Sequence, residues 1–253
     1  VEIAYYPVFR ADIQHFFKRV DKWKSPDIER PNPNLVVVPT NLAEAEALVA
    51  RMQEPIGSDI ETATDTQAIL RPYKRDARIL CAALSDGKLT IAFPINHPEA
   101  RTNWGLRFWL DVMRTKRWIA HNAAFELIWA LWFGRTQIDP YYEPAPFDDS
   151  MALARIYHQR NTILSLEDVS RIHLGVDIKS LSPVNPSRIL DYPLAQVLPY
   201  CGMDAWASAR IYSKLVKRVD QDIYKELLGS IRSTTEMDYL GLDVDLSVTS
   251  RSA

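Results

Sequence analysis

Residues 122–134, Asn-Ala-Ala-Phe-Glu-Leu-Ile-Trp-Ala-Leu-Trp-Phe-Gly, constrain the fold more than any other stretch. The run is apolar nearly all the way round a helix, with Asn122 placed as an N-cap and Gly134 as a C-terminal stop. A helix without a broad wet face must sit deep in a packed domain. Glu126 is its only charged residue. Burying a lone carboxylate is costly unless it is paired or binds a metal. The alternative, Glu126 on one wet face, is the weaker reading of so apolar a circumference. Asn122 lies one turn before Glu126, so both side chains are expected to face the same spot.

Two other stretches place carboxylates where core residues belong. Ser58-Asp59-Ile60-Glu61-Thr62 follows the entry to a buried strand at Pro55-Ile56-Gly57. With a side-chain period of two, Asp59 and Glu61 point to one side and Ser58 and Ile60 to the other. Adjacent carboxylates repel unless a positive charge sits between them. They are either a solvated edge or hard oxygen ligands for a divalent cation such as Mg²⁺. Residues 195–219 form a long helical pattern in which Tyr200 and Asp204 share a face with Val197 and Ile211. Ala205, Ala207, Ser208 and Ala209 are small and would let this helix approach a sheet closely. By itself, Asp204 also fits a buried hydrogen-bond acceptor.

The remaining chain supplies a mixed framework. Strands are expected near 35–38, 78–84, 88–93 and 117–120, and helices near 42–52, 103–114, 150–157 and 220–246. Together these read as an α/β mixed sheet with helices on both faces and a helical C-terminal part. Asp148 and Asp149 open the helix at Ser150, and capping accounts for at least one of them. The loop 173–190 carries Lys179 and Arg188 and offers substrate contacts or an ordinary surface. Most of the Trp residues from Trp104 to Trp132 fall at helical spacing and are expected in the core. The chain has 253 residues, a net charge of −2, and two cysteines without metal-ligand spacing. Cys81 sits in an apolar run, so a buried free thiol and a reducing, cytoplasmic compartment are expected. No second histidine lies at ligand spacing from His121 or His173, which argues against zinc. There is no run long and apolar enough for a membrane span, no signal peptide and no Gly-rich phosphate loop.

Asp-x-Glu on a strand, Asn-x-x-x-acid on a helix and Tyr-x-x-x-Asp on a later helix, in that order, resemble the tyrosine-bearing branch of the DEDD exonucleases. The pattern is most similar to the 3′–5′ proofreading domain of family A DNA polymerases, over about residues 35–220. It is carried by Ser58 to Thr62, His121 to Leu127, Phe147 to Met151 and Tyr200 to Ile211. The resemblance implies a ribonuclease-H-like fold and two divalent cations, Mg²⁺ or Mn²⁺. It implies Asp59, Glu61, Glu126 and Asp204 as their ligands, and Tyr200 as the residue that orients the attacking water. It places Thr62 and Asn122 at the substrate, a single-stranded DNA or primer 3′ end. One departure is Glu126, where the family has Asp. Residues 1–34 read as an N-terminal appendage and 221–253 as the start of a connection to a missing polymerase domain. The chain would then be the N-terminal part of a longer polymerase. An exoribonuclease of the same superfamily fits residues 164–178 as well. A catalytically inactive scaffold with this fold is the third reading.

Overall fold

The computed structural model describes residues 35–64, 71–159, 164–180 and 184–241. The expected appendage at 1–34 and the end of the tail lie outside them. A six-stranded sheet forms the centre, in the order β1-β4-β3-β2-β5-β6. Its strands are β1 (Val36–Val37), β2 (Ile56–Ala63), β3 (Arg78–Ser85), β4 (Thr90–Pro94), β5 (Trp118–Ala120) and β6 (Phe147–Asp149). β3 runs antiparallel to β2 and β4, while the β1–β4, β2–β5 and β5–β6 pairs are parallel. β6 was expected as the opening of a helix. Its three residues are all buried, and side-by-side pairing with β5 overrides the local capping signal.

The helices are α1 (Leu42–Val49), α2 (Gly105–Thr115), α3 (Ala123–Gln137), α4 (Ser150–His158), α5 (Leu166–Leu174), α6 (Leu194–Leu215) and α7 (Gln221–Leu240). One sheet face packs Ile56, Ile60, Ile79 and Phe93 against Trp109, Leu127 and Trp129 of α2 and α3. Trp109, Trp118 and Trp129 are fully buried, so these rings serve the core. The other face packs Ala63, Leu80 and Ala83 under Val197, Tyr200, Cys201 and Ala205 of α6. α4, α5, α6 and α7 share a third cluster around Leu153, Val169, Ile211 and Tyr224.

The small residues of α6 do bring it close to the sheet. A methyl group added at Gly57 of β2 would overlap the carbonyl oxygen of Ala205 and stand 3.1 Å from Ala209 Cβ. Gly57→Ala therefore must push α6, and Asp204 with it, off the sheet. Overpacking of this kind costs about 1–3 kcal/mol. A thermal melt of this variant is expected to show that loss, and an unchanged midpoint would mean that the contact is soft.

Gly134 does not stop α3, which continues to Gln137. A methyl group there would overlap the Tyr142 ring, so this glycine makes room for a buried aromatic side chain. Asn122 precedes α3 in the left-handed region at φ 76° and makes no side-chain capping bond. The cap comes instead from Asp149 at the end of β6.

Candidate active site

β2 carries Ser58 and Ile60 towards α2 and α3, where Trp109 Nε1 donates to Ser58 Oγ at 3.0 Å. Alternation sends Asp59 and Glu61 to the opposite face, under α6. β5 pairs with β2 through Gly57↔Ile119 and ends at Ala120, so Asp59 stands near the start of α3. The sheet thus opens at the carboxyl ends of parallel strands, the usual place for ligands in α/β proteins.

Four carboxylates from three elements converge there. A carboxylate oxygen of Asp59, one of Glu61 and the Cys201 sulfur all lie within 4.8 Å of one another. Burial, then the charge of Asp204, holds the Asp59 carboxyl well above its ordinary range. Burial, then Asp59, does the same to Glu61. Glu126, 3% exposed in the first turn of α3, is raised by burial and then by Asp59. Asp59 is therefore the neighbour that the β2–α6 acids and Glu126 have in common. Asp204 is raised by burial, against the opposing charge of Lys179.

Lys179 is the residue whose role sequence reading missed. It lies in the short 3₁₀ turn Ile178–Ser180, and its Nζ donates to both Asp204 oxygens at 2.9 and 2.6 Å. The same ammonium stands 3.8 Å from the centre of the Tyr200 ring, a cation–π contact. Its only signal in the sequence was a single basic residue in an otherwise uncharged stretch, 178–187. Tyr200 is buried, and burial followed by Asp204 pushes its phenol above the ordinary value. It stays protonated at neutral pH and can donate a hydrogen bond.

The second-tier residues divide. Thr62 is buried and follows a register shift between Glu61 and Thr62, a bulge that re-aims side chains at a site edge. Asn122 is exposed, whereas Glu126, one turn further on, is buried. Asp149 holds the substructure together. Its Oδ1 accepts from the N–H groups of Asn122, Met151 and Ala152 at 3.2, 2.8 and 3.1 Å, and its Oδ2 from Ala123 N–H at 2.9 Å. One carboxylate thus caps both α3 and α4. A lost cap costs about 0.5–2 kcal/mol, so Asp149→Ala is expected to lose about 1–4 kcal/mol, read from denaturant unfolding. A loss below that range would show that water replaces the carboxylate.

His173, read as lacking a partner histidine, meets His158 with 2.9 Å between their Nε2 atoms. The two come from α5 and α4, which sequence spacing does not relate. They are not part of a larger ligand set: among the described residues, the Asp59–Glu61–Cys201 cluster is the one group of three metal-ligating side chains.

The donor set fits divalent cations. Asp59 Oδ2 and Glu126 Oε2 are buried without a hydrogen-bond partner, although buried polar atoms are normally satisfied. Such oxygens are the hard ligands that Mg²⁺ and Mn²⁺ take.

No family profile and no curated protein matches the chain. Solved structures do. Brucella melitensis NrnC with bound Mg²⁺ is 18% identical, with a TM-score of 0.52 over 76% of this chain and 88% of that one. Escherichia coli RNase D, an exoribonuclease involved in structured RNA processing, is 17% identical, with a TM-score of 0.56 over 82% of this chain and 51% of that one. The POL domain of Pol1 from M. smegmatis is 13% identical, with a TM-score of 0.56 over 85% of this chain and 34% of that one. What the chain has in common with all three is the fold, a ribonuclease-H-like mixed sheet between helices.

Proposed function

We propose that this chain is a cation-dependent 3′–5′ exonuclease that removes nucleotides from single-stranded DNA ends. The observation that carries the reading is the convergence of Asp59, Glu61, Glu126 and Asp204, with two buried carboxylate oxygens left without partners. Asp59, Glu61, Glu126 and Asp204 would hold the cations. When bound, such cations supply a nucleophilic water at neutral pH and offset charge on the leaving oxygen. Tyr200, kept protonated by burial, orients the attacking water by hydrogen bonding. Lys179 neutralises Asp204 and holds the Tyr200 ring. Glu126 reaches one methylene further than an aspartate would. Its place at the positive end of the α3 dipole favours the ionised form.

The finer assignment, to the proofreading part of a family A polymerase, rests on the motif order and on the tail Met237 to Asp245. A second reading, an exoribonuclease, draws on the fold shared with E. coli RNase D. It also draws on Trypanosoma brucei RNase D in complex with RNA U12, 16% identical at a TM-score of 0.56 over 87% of this chain and 74% of that one. The test is degradation of 5′-labelled single-stranded DNA and RNA of one sequence, in Mg²⁺, Mn²⁺ or chelator. Stepwise shortening that requires the cation supports the nuclease, and the faster substrate decides between the readings. No shortening of either strand rejects the enzyme and leaves the inactive scaffold.

A further inference from the structure

A second charged feature lies at the far end of α6. Arg210, Ser213, Lys214, Lys217 and Arg218 line a groove of about 400 Å³ with no acidic side chain in its wall. All four cations are exposed, and among the described residues none forms an ion pair. That contrasts with Arg171, Lys179 and Arg232, each on a carboxylate, in a chain whose net charge is −2. Arg210 is held in place. Its stem lies against Gly87 of the β3–β4 turn, and its guanidinium stands 5.9 Å from the Trp206 ring centre. The positive field reaches α5: burial, then His158, Arg218 and Lys214, keeps the His173 imidazole below its ordinary value. A helix C-terminus favours cations in its last turn by about 0.3–1 kcal/mol each, which accounts for Lys214. It does not account for Arg210, a turn earlier, or for the lack of any carboxylate.

We propose that this groove binds the phosphate backbone of a single-stranded nucleic acid at a distance from the carboxylate pocket. The proposal builds on the nuclease reading and adds where the body of the strand is held. Asp204 and Lys214 lie ten residues apart on one continuous helix, about 15 Å at 1.5 Å per residue. A stacked strand rises about 3.4 Å per nucleotide, so roughly five nucleotides span that distance. Long strands can engage the groove while very short ones occupy the pocket alone. Contacts to phosphate carry no base information, so DNA and RNA of equal length should be held similarly.

The experiment measures anisotropy of a labelled strand of roughly 20 nucleotides, in EDTA, between about 50 and 200 mM salt. One variant carries Gln at positions 210, 214, 217 and 218. The other exchanges Arg and Lys at the same four positions and so keeps the charge. Each phosphate neutralised on a single strand contributes about 0.7 to the slope of log affinity against log salt. The Gln variant is expected to bind about 10–100-fold more weakly, with a slope smaller by about 2, and the exchanged variant to match wild type. Hydrolysis of a trinucleotide in Mg²⁺ should be the same in all three proteins. Equal affinity and slope in the Gln variant would overturn the proposal. So would an equal loss on the trinucleotide, or retention of polyglutamate as tight as that of the strand, which would assign the groove to an acidic protein. Binding in EDTA needs no turnover, so a failed nuclease reading and a failed groove give different results.

Discussion

Asp59→Ala is expected to abolish cation-dependent hydrolysis, by about 10³-fold or more, while making the cation-free protein more stable. The two effects have one origin. Asp59 Oδ2 is buried and has no hydrogen-bond partner, and its carboxylate faces the charge of Asp204. An unsatisfied buried polar group costs about 1–3 kcal/mol, and removing it also relieves Glu61 and Glu126, both raised by Asp59. What is lost is the contact of the Cys201 thiol with the Asp59 carboxyl, while its bond to the Asp59 backbone carbonyl at 3.4 Å stays. Since 1 kcal/mol moves the midpoint of a chain of about this size by about 2–4 °C, the gain should be visible in a thermal melt in chelator. A fall in the midpoint would make Asp59 a structural acid. Retained turnover would remove it from the chemistry.

The same reasoning separates what the sequence exposed from what it hid. Asp59, Glu61, Glu126 and Asp204 were legible as candidate site residues because each breaks a pattern. A charge on an otherwise apolar helix, or two on the inner side of a strand, conflicts with the local rule, and such conflicts concentrate at functional sites. Lys179 broke no pattern, because a lysine in a loop conflicts with nothing until the fold turns it onto Asp204. Cys201 was hidden for a different reason. Cysteine packs as a small apolar residue, and only the close approach of α6 to β2 brings its sulfur to the carboxylates. Asn122 holds the N-cap position of α3 as expected but makes no side-chain bond there, because Asp149 competes for the same N–H groups. The carboxylate wins from the adjacent strand, since charge-assisted bonds are roughly twice as strong as neutral ones. Gly134 was misread because glycine ends helices and also admits close neighbours, and only the Tyr142 ring shows which use applies.

The pocket also links stability to pH in a direction opposite to most acidic sites. Salt-bridged carboxyls usually have depressed values, and their proteins weaken in acid. Here burial raises the carboxyls of Asp59, Glu61, Glu126 and Asp204, so the folded chain keeps protons that the unfolded chain releases from about pH 4 upward. Their contribution is full below that value and is lost as pH rises through the folded values. His121 works the other way, because burial lowers its imidazole: its contribution is full above about 6.5 and is lost as pH falls through the lower, folded value. The carboxyl part is isolated by subtracting the melt of Asp59→Ala from that of wild type. In chelator, wild type is expected to lose ground to the variant steadily from about pH 5 to 8. Cations bind only the ionised acids, so Mn²⁺ should reverse the trend. At a hundredfold excess over its dissociation constant it adds about 2.7 kcal/mol, all of it to wild type and most of it at the upper end of the range. A wild-type minus variant difference that is flat with pH in chelator would show that the acids are already ionised when the pocket is empty. Equal Mn²⁺ stabilisation of both proteins would place the cation elsewhere on the surface.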